Sequence, residues 1–118
     1  MAEVSRSRDI VLVVDDSPET LSFLTDALEH SGATVLVATE GARALTLVER
    51  ITPDIVLMDA VMPGMDGFET CRRLKAKAAL SHVPIIFMTG LSETEHILEG
   101  LEAGGVDYVT KPIVLDVL

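Results

Sequence analysis

Hydrophobic positions along the chain fall into two alternating patterns. Short runs of β-branched and aliphatic residues at 10–14 (IVLVV), 34–38 (TVLVA), 54–58 (DIVLM), 84–88 (PIIFM) and 106–110 (VDYVT) are separated by longer segments with an apolar residue every three or four positions. Runs of the first kind read as strands, and the 3.6-residue repeats between them as helices. Strands that alternate with helices form a parallel sheet through crossover connections. Runs without strict polar alternation fit a sheet covered on both faces.

Element ends are marked as well. Ser17 followed by Pro18 opens the first helix, Gly32 closes it, and Leu21, Leu24 and Leu28 share one face. A second helix is expected from about Gly41 to Ile51, with Ala44, Leu45, Val48 and Ile51 on its apolar side and Pro53 as its stop. Asp66 and Glu69 have capping-box spacing ahead of a third helix that turns Phe68, Cys71 and Leu74 toward the sheet. Ser92 and Glu95 open a fourth, which buries Ile97, Leu98 and Leu101 before Gly104 and Gly105. After the fifth strand, residues 113–118 supply about one and a half turns, too few for a stable crossover helix. The expected organisation is therefore a tail at 1–9 and one domain at 10–118 with a truncated last helix. Such a chain reads as a fragment of a longer protein, with apolar surface around Leu21 and Leu24 left for a continuation or a second copy to cover.

Composition narrows the picture. Hydrophobic residues make up 48% of the 118 but aromatics only 3%, so the core must be aliphatic. The formal net charge of -10 disfavours nucleic-acid phosphates and anionic membrane surfaces, and direct binding to either is not expected. No apolar run approaches the ~20 residues needed to span a bilayer, so a soluble protein is expected. The first nine residues lack the apolar stretch of a secretory signal, and the single cysteine, Cys71, cannot form an internal disulfide. A cytoplasmic location follows as the expectation, with Cys71 a small buried or half-buried side chain rather than a reactive thiol.

The ligand crevice of an open α/β sheet lies outside the carboxyl ends of its strands. Here the first strand ends in Asp15 and Asp16, the third in Asp59, the fourth in Thr89 and Gly90, and the fifth in Thr110, Lys111 and Pro112. Taken singly, each has an ordinary reading: a turn-forming or capping aspartate, a strand threonine, a surface lysine. Taken together, four strands deliver carboxylates, a hydroxyl and an ammonium to one edge, which favours a site.

Carboxylates crowded in this way repel one another and call for a counter-charge. Hard oxygen donors without His or Cys select Mg²⁺ or Mn²⁺ over zinc, and Mg²⁺ commonly takes one or two carboxylates plus a phosphate oxygen. With the Lys111 ammonium and the Thr89 hydroxyl opposite, the set suits a phosphoryl group in transfer. A carboxylate can act as the nucleophile. Asp59, on the central strand with a glycine-containing loop behind it, is best placed.

Asp15-Asp16, Asp59 followed by AVMPGMDG, Thr89 and YVTKP closely resemble the receiver domain of bacterial two-component response regulators, in order and spacing, from about Ile10 to Leu118. The resemblance implies a flavodoxin-like, doubly wound five-stranded parallel sheet in the order 2-1-3-4-5. It implies that Asp59 takes a phosphoryl group from the phosphohistidine of a sensor histidine kinase or phosphotransfer protein in a Mg²⁺-dependent reaction. Asp16 would bind the metal directly and Asp15 largely through water, with Asp59 and the backbone carbonyl of Val61 completing the protein ligands. Lys111, Thr89 and the N–H groups of Val61 and Gly90 would hold the phosphoryl oxygens, and Lys111-Pro112 would be a cis peptide. Thr89 and Tyr108 would form the switch that reshapes the face of the fourth helix and fifth strand, which an output domain, an effector or a second copy would read. Such a domain catalyses its own phosphorylation and slow dephosphorylation without being a conventional enzyme.

Gly90 departs from the alanine more common at its position. Two rival readings stand beside this one. A Mg²⁺-dependent phosphohydrolase of the haloacid dehalogenase type would need a second acid two residues after the nucleophile, where this chain has Val61. A pseudo-receiver that works by protein contact alone would not need the polar set that is present. His30, His82 and His96 fall near helix ends or loops away from the acidic edge, and the CRRLK segment reads as a solvated helix face.

Overall fold

The computed structural model describes residues 9–89, 101–104 and 107–110. Strands β1 (Ile10–Val14), β2 (Thr34–Ala38), β3 (Ile55–Asp59), β4 (Ile85–Thr89) and β5 (Asp107–Thr110) form one sheet in the order β2-β1-β3-β4-β5, every pairing parallel. Helices α1 (Pro18–His30), α2 (Gly41–Leu47) and α3 (Gly67–Lys75) connect the first strands, and a 3₁₀ turn at Ala78–Leu80 leads into β4. Strand order reverses between β1 and β3, the switch point at which such sheets open a crevice. Among the described residues no helix is long and apolar enough to cross a membrane.

Successive strand residues point to opposite faces, and two apolar clusters result. Val11, Val13, Leu57 and Met88 pack with Leu21 and Leu24 of α1 on one side. Leu12, Val14, Val56, Met58, Ile85 and Phe87 pack on the other side with Ala44 of α2 and Phe68, Cys71 and Leu74 of α3. Phe68 and Phe87 meet at a ring-centroid distance of 5.0 Å. Leu21 and Leu24 are themselves buried, and the exposed large apolar side chain on α1 is Phe23, at 46%.

Helix ends follow the capping residues. The Ser17 hydroxyl accepts from Thr20 N at 3.3 Å, and Gly32 ends the first crossover with φ 105°. Asp66 caps α3 by accepting from Glu69 N at 2.9 Å. The Glu69 carboxylate pairs with Arg73 (2.9 Å) and Arg72 (3.5 Å) on the exposed face. Those contacts, led by the Arg73 hydrogen bond, hold its pKa below the usual carboxylate value. At the far end of α3, Lys75 Nζ donates to the carbonyls of Leu80 (3.4 Å), Ser81 (3.1 Å) and Val83 (2.8 Å), tying the helix to the start of β4.

Several boundaries differ from expectation. The second helix ends at Leu47, not Ile51, because the chain tightens there: Glu49 N and Arg50 N bond three residues back, to Thr46 O and Leu47 O, and Ile51 is left 39% exposed. β3 and β4 each begin one residue later than their apolar runs. Asp54 is diverted to cap β1, its Oδ2 accepting from Ile10 N at 2.7 Å, and Pro84 has no N–H to give. Leu101 is 47% exposed rather than buried. Gly104 N bonds to Leu101 O in a tightened turn, and the inward position falls to Ala103, 5% exposed. The expectations for the tail at 1–8, Gly90, Ser92, Glu95, His96, Ile97, Leu98, Gly105, Lys111, the Lys111-Pro112 peptide and the last helix lie outside the described residues.

Candidate functional site

Register builds the site. β1 and β3 run parallel with Val14 opposite Met58, so the residues that follow, Asp15 and Asp59, leave the ladder at the same level. Hydrogen bonds to the flanking strands extend past both: Asp15 N donates to Ala38 O and Ala60 N to Met88 O, each at 3.1 Å. The backbones carrying the two carboxylates are therefore set by the sheet rather than by a loose loop.

The side chains are fixed in turn. Asp15 Oδ1 accepts from Ser17 N at 2.8 Å, a local turn that feeds the chain into α1. Asp59 Oδ1 accepts from Val61 N at 3.3 Å, a longer and weaker bond of the same kind. The turn-forming reading of these aspartates holds, and it does not compete with the site reading, because one carboxylate has oxygen lone pairs for each role. Asp15 is 0% exposed and Asp59 6%, whereas Asp16 opens to solvent.

One oxygen from each of Asp15, Asp16 and Asp59 lies within 4.8 Å of the others. Oxygens sharing one Mg²⁺ at ~2.1 Å lie ~3 to ~4 Å apart, so the triad needs only small side-chain adjustments to close on an ion. The donor set holds no nitrogen or sulfur, as expected for a hard cation.

The loop after Asp59 is anchored at both ends. Met62 is buried in the α2/α3 core, Gly64 turns the chain with φ 75°, and Gly67 N donates to Ala60 O at 3.0 Å. Val61, between these anchors, is 52% exposed and keeps its N–H beside the Asp59 carboxylate.

Of the other expected site residues, Thr89 ends β4 one step beyond Met88, the partner of Asp59, and its backbone pairs with Thr110. Tyr108 pairs with Phe87 along β5. Lys111 and Gly90 lie outside the described residues. Cys71 is buried, its thiol donating to Ala103 O at 3.4 Å, and burial pushes its pKa up to about 11. His30 and His82 are exposed and stand apart from the acidic group.

Sequence reading missed the close packing behind the triad. A Cβ on Gly67 would overlap the carbonyl oxygen of Asp59, and one on Gly41 would overlap the hydroxyl of the buried Thr70. Both glycines were visible at helix starts, where glycine usually signals a loop. Nothing in the residue order distinguishes a turn glycine from one that admits a neighbouring backbone.

The profile of the response regulator receiver domain family matches residues 11–118. The chain is 43% identical over 105 residues to the DNA-binding response regulator MtrA of Mycolicibacterium smegmatis, covering 89% of this chain and 45% of MtrA. It is 41% identical over 103 residues to the response regulator PleD of Caulobacter vibrioides, covering 87% of this chain and 23% of PleD. The chain thus spans less than half the length of these relatives. Among solved structures, the chemotaxis protein CheY4 of Vibrio cholerae superposes with a TM-score of 0.89 at 27% identity, over 93% of this chain and 92% of that one. The signal receiver domain of a histidine kinase from Syntrophus aciditrophicus superposes with a TM-score of 0.84 at 34% identity, over 92% and 83%. A five-stranded sheet ordered about its switch point, an acidic triad at the carboxyl edge and a family match over nearly all its length make this chain a response regulator receiver domain, a phosphoacceptor signalling module.

Proposed function

We propose that Asp59 is the phosphoacceptor of this domain and that Asp15, Asp16 and Asp59, with the backbone carbonyl of Val61, hold a Mg²⁺ ion beside it. The observation that carries the reading is the convergence of three carboxylates within 4.8 Å at the end of β3. An Asp59 oxygen attacks phosphorus as the bond from phosphorus to the donor's imidazole nitrogen breaks, and the imidazole leaves with the bonding pair and takes up a proton. Mg²⁺, when bound, neutralises the carboxylates and the phosphoryl oxygens together. Val61 N–H gives up its 3.3 Å bond to Asp59 and, with Gly90 N–H, Lys111 and Thr89, holds the transferred group.

Thr89 and Tyr108 then carry the change to the face of the fourth helix and fifth strand, which shifts population between two packings. The partners are a sensor histidine kinase or phosphotransfer protein on the input side and an output domain, an effector or a second copy on the other, in the cytoplasm. Incubation with Mg²⁺ and acetyl phosphate, followed by intact mass, tests the chemistry. The wild-type protein gains one phosphoryl group and Asp59→Asn gains none; labelling of that variant would move the acceptor elsewhere. Absence of uptake by the wild type would favour a pseudo-receiver, and multiple turnovers on free phosphate esters a phosphohydrolase.

A further inference from the structure

We propose that Gly67 is a positioning residue for the acceptor: by carrying no Cβ it lets α3 begin in contact with the Asp59–Ala60 peptide, and so fixes the direction in which the Asp59 carboxylate leaves β3. The proposal rests on Asp59 being the acceptor. A Cβ at Gly67 would overlap Asp59 O and stand 2.9 Å from both Asp59 C and Ala60 Cα. All three are backbone atoms, so no side-chain rotation relieves the contact. Nor does conformational freedom explain the residue, because Gly67 is not among the glycines with positive φ. The requirement is for space alone.

Neither side can yield cheaply. On one side Asp59 is the last residue of its strand, paired with Met88, while Ala60 N still bonds to Met88 O. On the other, α3 is held by its Asp66 cap, by the Gly67 N to Ala60 O bond and by buried Phe68, Thr70, Cys71 and Leu74. Restoring van der Waals distance would displace the Asp59–Ala60 peptide by roughly an ångström, enough to slow an aligned reaction by ~100-fold. The same displacement spoils the spacing of the triad, and loss of a ligand-orienting contact typically weakens metal affinity ~10-fold or more.

Gly41 supplies the control. Its missing Cβ faces the Thr70 hydroxyl and Met65 Sδ, which are side-chain atoms of the same layer that do not carry the acceptor. Gly67→Ala and Gly41→Ala are compared with the wild type by thermal unfolding, by Mg²⁺ titration followed in amide NMR spectra of the folded protein, and by the rate of phosphoryl uptake from acetyl phosphate. Both variants lower the melting temperature, but only Gly67→Ala loses Mg²⁺ affinity by ~10-fold and uptake by ~100-fold.

Wild-type affinity and rate in folded Gly67→Ala would overturn the proposal, as would equal losses in Gly41→Ala. If Gly67→Ala is unfolded in buffer, the titration is repeated in trimethylamine N-oxide, which favours the compact state. Failure to fold there while Gly41→Ala folds assigns the glycine to the fold alone and also overturns the proposal. The Asp59→Asn result keeps the two ideas apart: uptake by that variant refutes the acceptor, whereas no uptake there with normal behaviour of Gly67→Ala refutes only the positioning role.

Discussion

Replacing Asp59 with asparagine is expected to make the metal-free protein more stable while removing most of the stability that Mg²⁺ adds. Two unit charges 4.8 Å apart repel by ~3 kcal/mol at an effective dielectric constant of ~20. Asp16 is open to solvent, which screens its share, so the net relief is set at about 1–2 kcal/mol. The carboxamide oxygen can still accept from Val61 N, so the turn after β3 is retained. In a domain of this size the relief corresponds to roughly 5 °C in melting temperature. The assay is thermal unfolding by circular dichroism in EDTA and across a Mg²⁺ series. Wild-type stability should climb as RT ln(1 + [Mg²⁺]/Kd), about 2.7 kcal/mol at a hundredfold excess over Kd, with a much smaller climb in the variant. An Asp59→Asn protein that melts below the wild type in EDTA, or that keeps the full Mg²⁺ increment, would refute the idea that these carboxylates share one electrostatic site.

Two further outcomes follow from the packing. Burial pushes the folded Cys71 thiol up to about 11 from an ordinary 9.0, so above pH 9 the unfolded chain sheds a proton that the folded one keeps; stability should fall between those values by at most ~3 kcal/mol, and urea titrations of Cys71→Ala should lack that component. Lys75→Met leaves the carbonyls of Leu80, Ser81 and Val83 without their shared donor and should lower the urea-derived stability by ~1–3 kcal/mol with the fold unchanged by NMR; a neutral result would mean that water replaces the ammonium fully.

Most of the architecture was legible in the residue order because the signals are local. Aliphatic runs gave the strands, and Ser17, Gly32 and Asp66 gave helix ends that the structure reproduces through specific hydrogen bonds. The acidic triad was legible for a different reason: in a parallel sheet the carboxyl ends share one edge, so residues distant in sequence are brought together by topology alone. What escaped depends on packing. The second helix kept its apolar period as far as Ile51, but its hydrogen bonding tightened after Leu47. Leu101 has the hydrophobicity of a buried residue, yet the turn preceding Gly104 directs Ala103 inward. Glu69 had capping-box spacing, but two arginines one turn on compete successfully for its carboxylate. The closeness of Gly67 to Asp59 is a property of two backbones meeting, which no one-dimensional pattern encodes.

The three carboxylates differ most in depth: Asp15 is fully enclosed, Asp59 nearly so, and Asp16 faces water. A divalent ion surrenders its hydration reluctantly, so at the proposed site an aquated ion would meet Asp16 before either enclosed carboxylate. Capture and retention would thereby be divided between different side chains. On the proposed assignment the outermost acid would govern how often an ion is caught, and the enclosed carboxylates how long it stays.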